Sequence, residues 1–382
     1  MKRPKITGKR AVWLGLLGTP ILVVAAVALI GVASGSAGPS KATQVAKATK
    51  PAASTRAAAD GIVSNQIANP AATIAYWTPA RMASAKPVTS NAVAESGSAP
   101  AVAKASGTPG TLPSYVPPNL PRADAGPAVK LGSGVSPRTQ SYHVVPPFTR
   151  YFYFARYRTY PTSTVGKLFF TNNGNNYVCS GSTQYIDVVA TAGHCVSNTD
   201  GTHLFSTNVL FCPSYNAGIN PAVGCWAATQ LFTFVNWNTN NSFEWDMGMI
   251  HTATSGTVIN DHIGNATGYL GLAWNQGYDQ NWYMFGYPQG SPFNGNFLVT
   301  CNSEFGYQDS DGNNQSGPNS AAAGCDMTGG SSGGPWILAF GSGNYLNGHQ
   351  DWFHNAFPTE INTPYYDDRI CTLVNAAGRP CP

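Results

Sequence analysis

The sequence predicts an all-β fold over residues 159–382, preceded by a long stretch that builds no core of its own. Short β-prone runs alternate with turn clusters from about residue 165 onward, and no run there keeps a long helical period. All eight cysteines lie in this part: Cys179, Cys195, Cys212, Cys225, Cys301, Cys325, Cys371 and Cys381. The stretch before it is dominated by Ala, Pro, Ser, Thr, Gly and Val, with almost no aromatic residues. Such a composition cannot bury enough apolar surface to offset the entropy of ordering it.

Taken from its start, the chain opens with Lys2, Arg3, Lys5, Lys9 and Arg10, followed by an apolar run from Ala11 to Val32 and small residues from Ala33 to Ala37. Residues 1–37 therefore read as a secretion signal removed at the small residues, or as a retained membrane anchor, since the run is long enough to span a bilayer. Residues 38–158 read as a disordered, low-complexity pro-region, with a cell-wall-spanning linker as the competing reading. At the end of this stretch Arg150, Arg156 and Arg158 alternate with Tyr and Phe between Phe148 and Tyr160, a pattern that can mark nucleic-acid binding.

Charge argues against that partner. The net charge of +4 hides a split: 18 Lys and Arg stand against Asp60, Glu95 and Asp124 before residue 165, and Lys167, Arg369 and Arg379 stand against 14 acids after it. The folded part is acidic, so it has no reason to seek nucleic acid or an anionic membrane and would attract cationic peptides. An even cysteine count behind a secretion signal reads as disulfides in a secreted chain, or in one anchored at the outer face of the membrane. Zinc ligation is the alternative, but no Cys-x-x-Cys pair occurs. Spacing alone does not choose the pairing.

The clearest strand candidates are Leu168–Thr171, Tyr177–Cys179, Ile186–Ala190, Leu231–Val235, Met247–His251, Trp282–Phe285, Phe297–Cys301, Trp336–Ala339 and Tyr345–Leu346. Turn formers between them include Asn172–Asn176, Asp309–Asn314 and Gly341–Asn344.

Chemistry concentrates in three places. In Gly329-Gly330-Ser331-Ser332-Gly333-Gly334-Pro335, Ser332 is flanked by glycines that let backbone N–H groups approach a reacting carbonyl, although glycine-serine runs are also common in surface turns. A serine hydroxyl needs a base, and His194 ends the apolar run Val188-Val189-Ala190-Thr191-Ala192-Gly193. Between them Asp246 interrupts an apolar segment, Phe243 to Ile250, where an unpartnered carboxylate would be costly and an imidazole would satisfy it.

Thr191-Ala192-Gly193-His194-Cys195 and Gly330-Ser331-Ser332-Gly333-Gly334-Pro335 resemble the histidine and serine boxes of the trypsin/chymotrypsin-like serine peptidases, in the order His, Asp, Ser. Val165-Gly166-Lys167-Leu168-Phe169-Phe170, Cys179-Ser180-Gly181-Ser182 and Gly286-Tyr287-Pro288 are similar to the secreted bacterial branch that includes the glutamyl endopeptidases. The resemblance implies two six-stranded antiparallel β-barrels, about 165–262 and 263–382, with the site in the cleft between them. It implies a monomeric serine endopeptidase with His194, Asp246 and Ser332 as its triad, the Gly330 and Ser332 N–H groups as oxyanion hole, peptide or protein substrates, and no metal or organic cofactor. It also implies the disulfide Cys179–Cys195; Cys212–Cys225, Cys301–Cys325 and Cys371–Cys381 are expected from proximity. Animal members carry an Asp just before the nucleophile, where this chain has Ser331, so control by a blocking pro-segment is expected instead. A degenerate peptidase fold serving as a binding module would lack a triad member. A serine esterase would show the order Ser, Asp, His.

Specificity is left open between readings. Asp326 lies six residues before Ser332, where trypsin-like enzymes place the carboxylate that accepts Lys or Arg. Glutamyl endopeptidases use a histidine on the strand after the nucleophile, and His349 lies near that place but one residue out of register.

Overall fold

The computed structural model describes residues 61–88, 114–119, 143–198, 202–311 and 317–382. The expected signal or anchor at residues 1–37 lies outside them. Among the described residues no helix is long and apolar enough to cross a membrane.

Parts of the stretch read as building no core are ordered. They form strand β1 (Ile62–Gln66), helices α1 (Pro70–Tyr76) and α2 (Pro79–Ser84), and short strands β2 (Lys86–Pro87), β3 (Ser114–Val116) and β4 (Thr149–Phe152). Each helix starts on a proline behind a capping side chain: Asn69 accepts from the Ala72 N–H, and Thr78 from the Arg81 N–H. These pieces need no core because they borrow one. Trp77 is buried, stacks at a tilt 5.4 Å from Phe169, and donates its indole N–H to the Asn208 carbonyl.

The first sheet contains β5 (Val165–Asn172), β6 (Asn175–Thr183), β7 (Val188–Ala192), the turn α3 (Gly193–Val196), β8 (Thr207–Pro213), β9 (Trp226–Phe234), helix α4 (Val235–Asn240) and β10 (Met247–Thr252). Its six strands close in the order β5-β6-β7-β10-β9-β8 and back to β5, every pair antiparallel. Leu168, Phe170, Val189, Phe211, Leu231 and Ile250 fill the inside, while Val165, Phe169, Val178, Val188 and Met249 on the opposite face pack with Leu272, Phe285 and Ile370 outside the ring, so these strands are apolar on both faces. The N-terminal β1 lies antiparallel to β9, and β2 runs parallel to β6.

Helix α5 (Ile263–Thr267) leads to the second sheet: β11 (Gly271–Trp274), β12 (Asn281–Gly286), β13 (Val299–Asp309), β14 (Ser320–Gly324), β15 (Pro335–Leu338), β16 (Tyr345–His349) and β17 (Glu360–Thr363), followed by helix α6 (Asp368–Ala376). The order is β17-β14-β13-β12-β15-β16-β11-β3, with β4 on β13. Just past β16 the Asp351 N–H donates to Asn362 (3.1 Å) and the Asn362 N–H to Trp352 (2.8 Å), which brings the two ends of the β12–β17 set together. β11 runs parallel to β16, so this sheet has members beyond the six expected strands. The disulfides are Cys179–Cys195, Cys212–Cys225, Cys301–Cys325 and Cys371–Cys381.

Candidate active site

Strand β7 carries apolar residues into the first barrel and ends at Ala192, so the chain turns through α3 at the barrel rim with His194 in its first turn. The register Met247↔Ala192 sets the residue before β10 against this turn. That residue is Asp246, which therefore sits at the end of a short 3-10 turn, Phe243–Trp245, just ahead of the strand and not inside it. One Asp246 oxygen accepts the His194 backbone N–H and the other meets Nδ1 of the ring, both at 2.7 Å. The Cys179–Cys195 bridge ties the turn to β6.

A second carboxylate, which sequence reasoning missed, completes the surroundings of the ring. Asp351 Oδ1 lies 3.4 Å from His194 Nδ1, the residue is buried, and neither of its oxygens has a hydrogen-bond partner. Burial opposes a charge on His194, but the two carboxylates outweigh it and raise its pKa. For Asp351, burial together with the neighbouring Asp246 charge holds its carboxyl well above the ordinary carboxylate range. Two buried carboxyl groups beside one imidazole thus differ: Asp246 takes the two N–H groups, and the surroundings of Asp351 favour its protonated form. The other ring nitrogen, Nε2, is buried and unpartnered.

The glycine-serine box forms a tight loop between β14 and β15. Gly330 has φ +97° and Gly333 φ +80°, conformations that side chains disfavour. A Cβ on Gly333 would also strike Thr191 Oγ1, which couples this loop to the first barrel beside His194. The Gly333 N–H donates to the Gln350 carbonyl (2.6 Å) and the Ser332 carbonyl accepts from the Ser180 N–H (2.7 Å), so both sheets hold the loop. Ser331 is turned away, its hydroxyl on the Thr328 carbonyl at 2.9 Å. The Ser332 hydroxyl makes no such bond among the described residues, and neither the Gly330 nor the Ser332 N–H has an acceptor there.

No protein-family model matches the chain. Among solved structures it is similar to the thermostable serine protease AL20 from an extremophilic microorganism, at 32% identity and TM-score 0.51, over 56% of this chain and 96% of that one. It is likewise similar to the protease Anisep from Arthrobacter nicotinovorans, at 31% identity and TM-score 0.51, over 56% of this chain and 95% of that one. The chain belongs to the trypsin/chymotrypsin-like serine peptidases. It is a peptide-bond hydrolase, and its substrates are peptides or proteins. A Glu endopeptidase structure is 19% identical with TM-score 0.49, over 60% of this chain and 95% of that one. An extracellular metalloprotease of Bacillus subtilis (strain 168) is 26% identical over 102 residues; the peptidase spans 29% of the length of that curated relative.

The two residues expected to read the substrate lie apart from each other. Asp326, partly exposed, faces Arg150 of β4, with Nε 3.5 Å from its Oδ1. His349 is buried against Asp246: Nε2 is 2.9 Å from the Asp246 carbonyl and Nδ1 2.9 Å from the Tyr366 hydroxyl. With both nitrogens engaged there, His349 faces the same side as Asp351, as the alternation of a strand requires. The intervening Gln350 turns the other way. Its amide and that of Asn362 on β17 are fully buried with oxygen and nitrogen both unpartnered. Polar atoms buried without partners are costly, and these two amides are the unsatisfied pair on the far side of the strand from Asp351.

Proposed function

We propose that the chain is a secreted serine endopeptidase whose triad is His194, Asp246 and Ser332. His194 Nε2 takes the Ser332 proton as Oγ attacks the peptide carbonyl, and Asp246 fixes the tautomer through Nδ1. The Gly330 and Ser332 N–H groups receive the oxyanion. The same imidazole then protonates the leaving amine, an acyl-enzyme remains on Oγ, and water releases it. The observation that carries this reading is the double contact of Asp246 with His194, which leaves Nε2 as the ring's one unengaged nitrogen. The four disulfides support an oxidising, extracellular setting.

Residues 38–158 act as a pro-segment in this reading. The Val88 carbonyl lies so close to Gly329 that no side chain would fit, and the Ala85 carbonyl accepts from Gln289 Nε2 at 2.7 Å, so this segment lies against the serine loop. Arg150 beside Asp326 supports cleavage after Lys or Arg, because Asp326 already forms an ion pair with a guanidinium. The test is a fluorophosphonate probe on the secreted protein, with the adduct located by mass spectrometry. Labelling on Ser332, lost in His194→Ala, is expected; a label elsewhere, or none on protein that cleaves peptides, overturns the assignment.

A further inference from the structure

A second group of titratable side chains lies where β13 ends and β17 begins, and it shares no residue with the triad. Asp309 closes β13, Glu360 opens β17, and His354 lies on the connection from β16 to β17. Their side chains are almost wholly buried, at 0%, 1% and 0% exposure. His143, from the segment that precedes β4, reaches into the same place with its side chain 16% exposed.

The donor atoms converge. His354 Nε2 lies 2.9 Å from Asp309 Oδ2 and 3.9 Å from Glu360 Oε1, and His143 Nδ1 lies 3.2 Å from the same Glu360 oxygen. Donors bound tetrahedrally to zinc at its usual bond lengths stand about 3.3–3.5 Å apart, so shifts of a few tenths of an ångström bring the three contacts to that spacing. The surroundings hold the donors in place. The Tyr307 hydroxyl contacts His143 Nδ1 at 3.0 Å and Asp309 Oδ2 at 3.3 Å, and Phe357 stacks on the His143 ring at 3.9 Å.

An independent observation points to a missing partner: the second Glu360 oxygen, Oε2, is buried and unpartnered. The charged groups facing Glu360 are the two imidazoles, and Asp309 and Asp311 add negative charge around His354. Two buried carboxylates converge on His354, and a divalent cation would compensate their charge.

We propose that His143, Asp309, His354 and Glu360 form a binding site for a divalent transition metal of the zinc class, which fastens the N-terminal segment to the peptidase body. Two imidazoles with carboxylates are a donor set suited to zinc and unlike the all-oxygen sets that calcium prefers. Because neutral imidazoles are needed, affinity rises with pH.

The test uses the full chain carrying Ser332→Ala, so that it stays whole whether or not the proposed triad is correct. The protein is stripped with a chelator and titrated with zinc at pH 5.5 and 7.5, with metal content read by mass spectrometry after desalting. About one retained zinc per chain at pH 7.5 is expected, with affinity at least about ten-fold weaker at pH 5.5. Glu360→Gln, which keeps the shape, should weaken binding about ten-fold or more, and His143→Ala should weaken it while leaving the far-ultraviolet circular dichroism unchanged. A parent chain that retains no zinc at pH 7.5 shows a network satisfied by protons alone and overturns the site. Retention equal in the parent, Glu360→Gln and His143→Ala chains overturns the assignment of its ligands.

Discussion

The body from Val165 onward and the pieces of chain before it are held by different means. In the body, six strands close a ring around Leu168, Phe170 and Ile250, and four disulfides pin its loops. The earlier pieces contribute β1, β2, β3 and β4 to β9, β6, β11 and β13, each through a few backbone bonds along an edge. Edge pairing needs unsatisfied N–H and C=O groups and little side-chain pattern. A basic, small-residue segment can therefore be ordered by an acidic body that it could not imitate alone. The body should thus carry both chemistry and stability, and the segment should be removable.

The most severe break of that division is at the proposed nucleophile. Ser332→Ala should lower kcat/KM by about 10⁴–10⁶ with folding intact, because triad members act as a unit. Ser331→Ala, whose hydroxyl only caps the Thr328 carbonyl, should stay within about ten-fold of the parent. Kinetics on a peptide substrate decide it, and a dead Ser331 variant beside an active Ser332 variant would move the nucleophile by one position.

Trp77 is where the segment reaches into the body, and Trp77→Ala should cost about 3–5 kcal/mol if that contact is part of the fold. Urea unfolding of the Ser332→Ala chain measures it; a change under about 0.5 kcal/mol would mean the segment is draped on the surface. Here the sequence was only partly legible. His194, Asp246 and Ser332 stood out because each chemical type interrupts a strongly apolar or glycine-rich run. The ordered pieces did not, although Asn69-Pro70 and Thr78-Pro79, each a capping residue before a proline, together with Tyr76-Trp77, were signals of local structure inside a low-complexity stretch. Asp351, Gln350 and Asn362 had no signal at all. They are brought to the site by the closure of β16 on β17, a pairing set by long-range register that no local pattern announces.

His349 sharpens the contrast from within the body. Burial lowers its pKa to about 4, with the nearby His194 adding to the effect and Asp246 opposing it. A neutral folded-state imidazole means that stability is complete above the unfolded value near 6.5 and falls as pH drops toward 4, by about 3 kcal/mol in all. Glu244 works in the opposite sense, since burial raises it to about 7 and its contribution is lost as pH rises through that value. The comparison must therefore be between His349→Gln and its parent, unfolded in urea at pH 7 and 4.5. The variant should lose less on acidification; equal losses would place the acid sensitivity elsewhere.

The smallest energetic effect belongs to the one ion pair between Arg150 and Asp326, and it is also the most informative about substrate. Both side chains are about one-third exposed, at 35% and 31%, and their closest approach is 3.5 Å, so solvent screens the pair and Arg150→Ala should change stability by less than about 1 kcal/mol. Its consequence for activity is larger, because β4 keeps a cation on the carboxylate assigned to substrate Lys or Arg. Removing that cation in the intact chain should raise turnover of Lys or Arg peptides by a few-fold and leave others unchanged, whereas Asp326→Asn should lower Lys and Arg cleavage by about 10²-fold or more. A peptide library profiled on both variants separates the readings. If Asp326→Asn leaves the profile intact while Gln350→Ala reshapes it, the buried amides of Gln350 and Asn362 read the substrate, and Asp326 serves only to dock the segment.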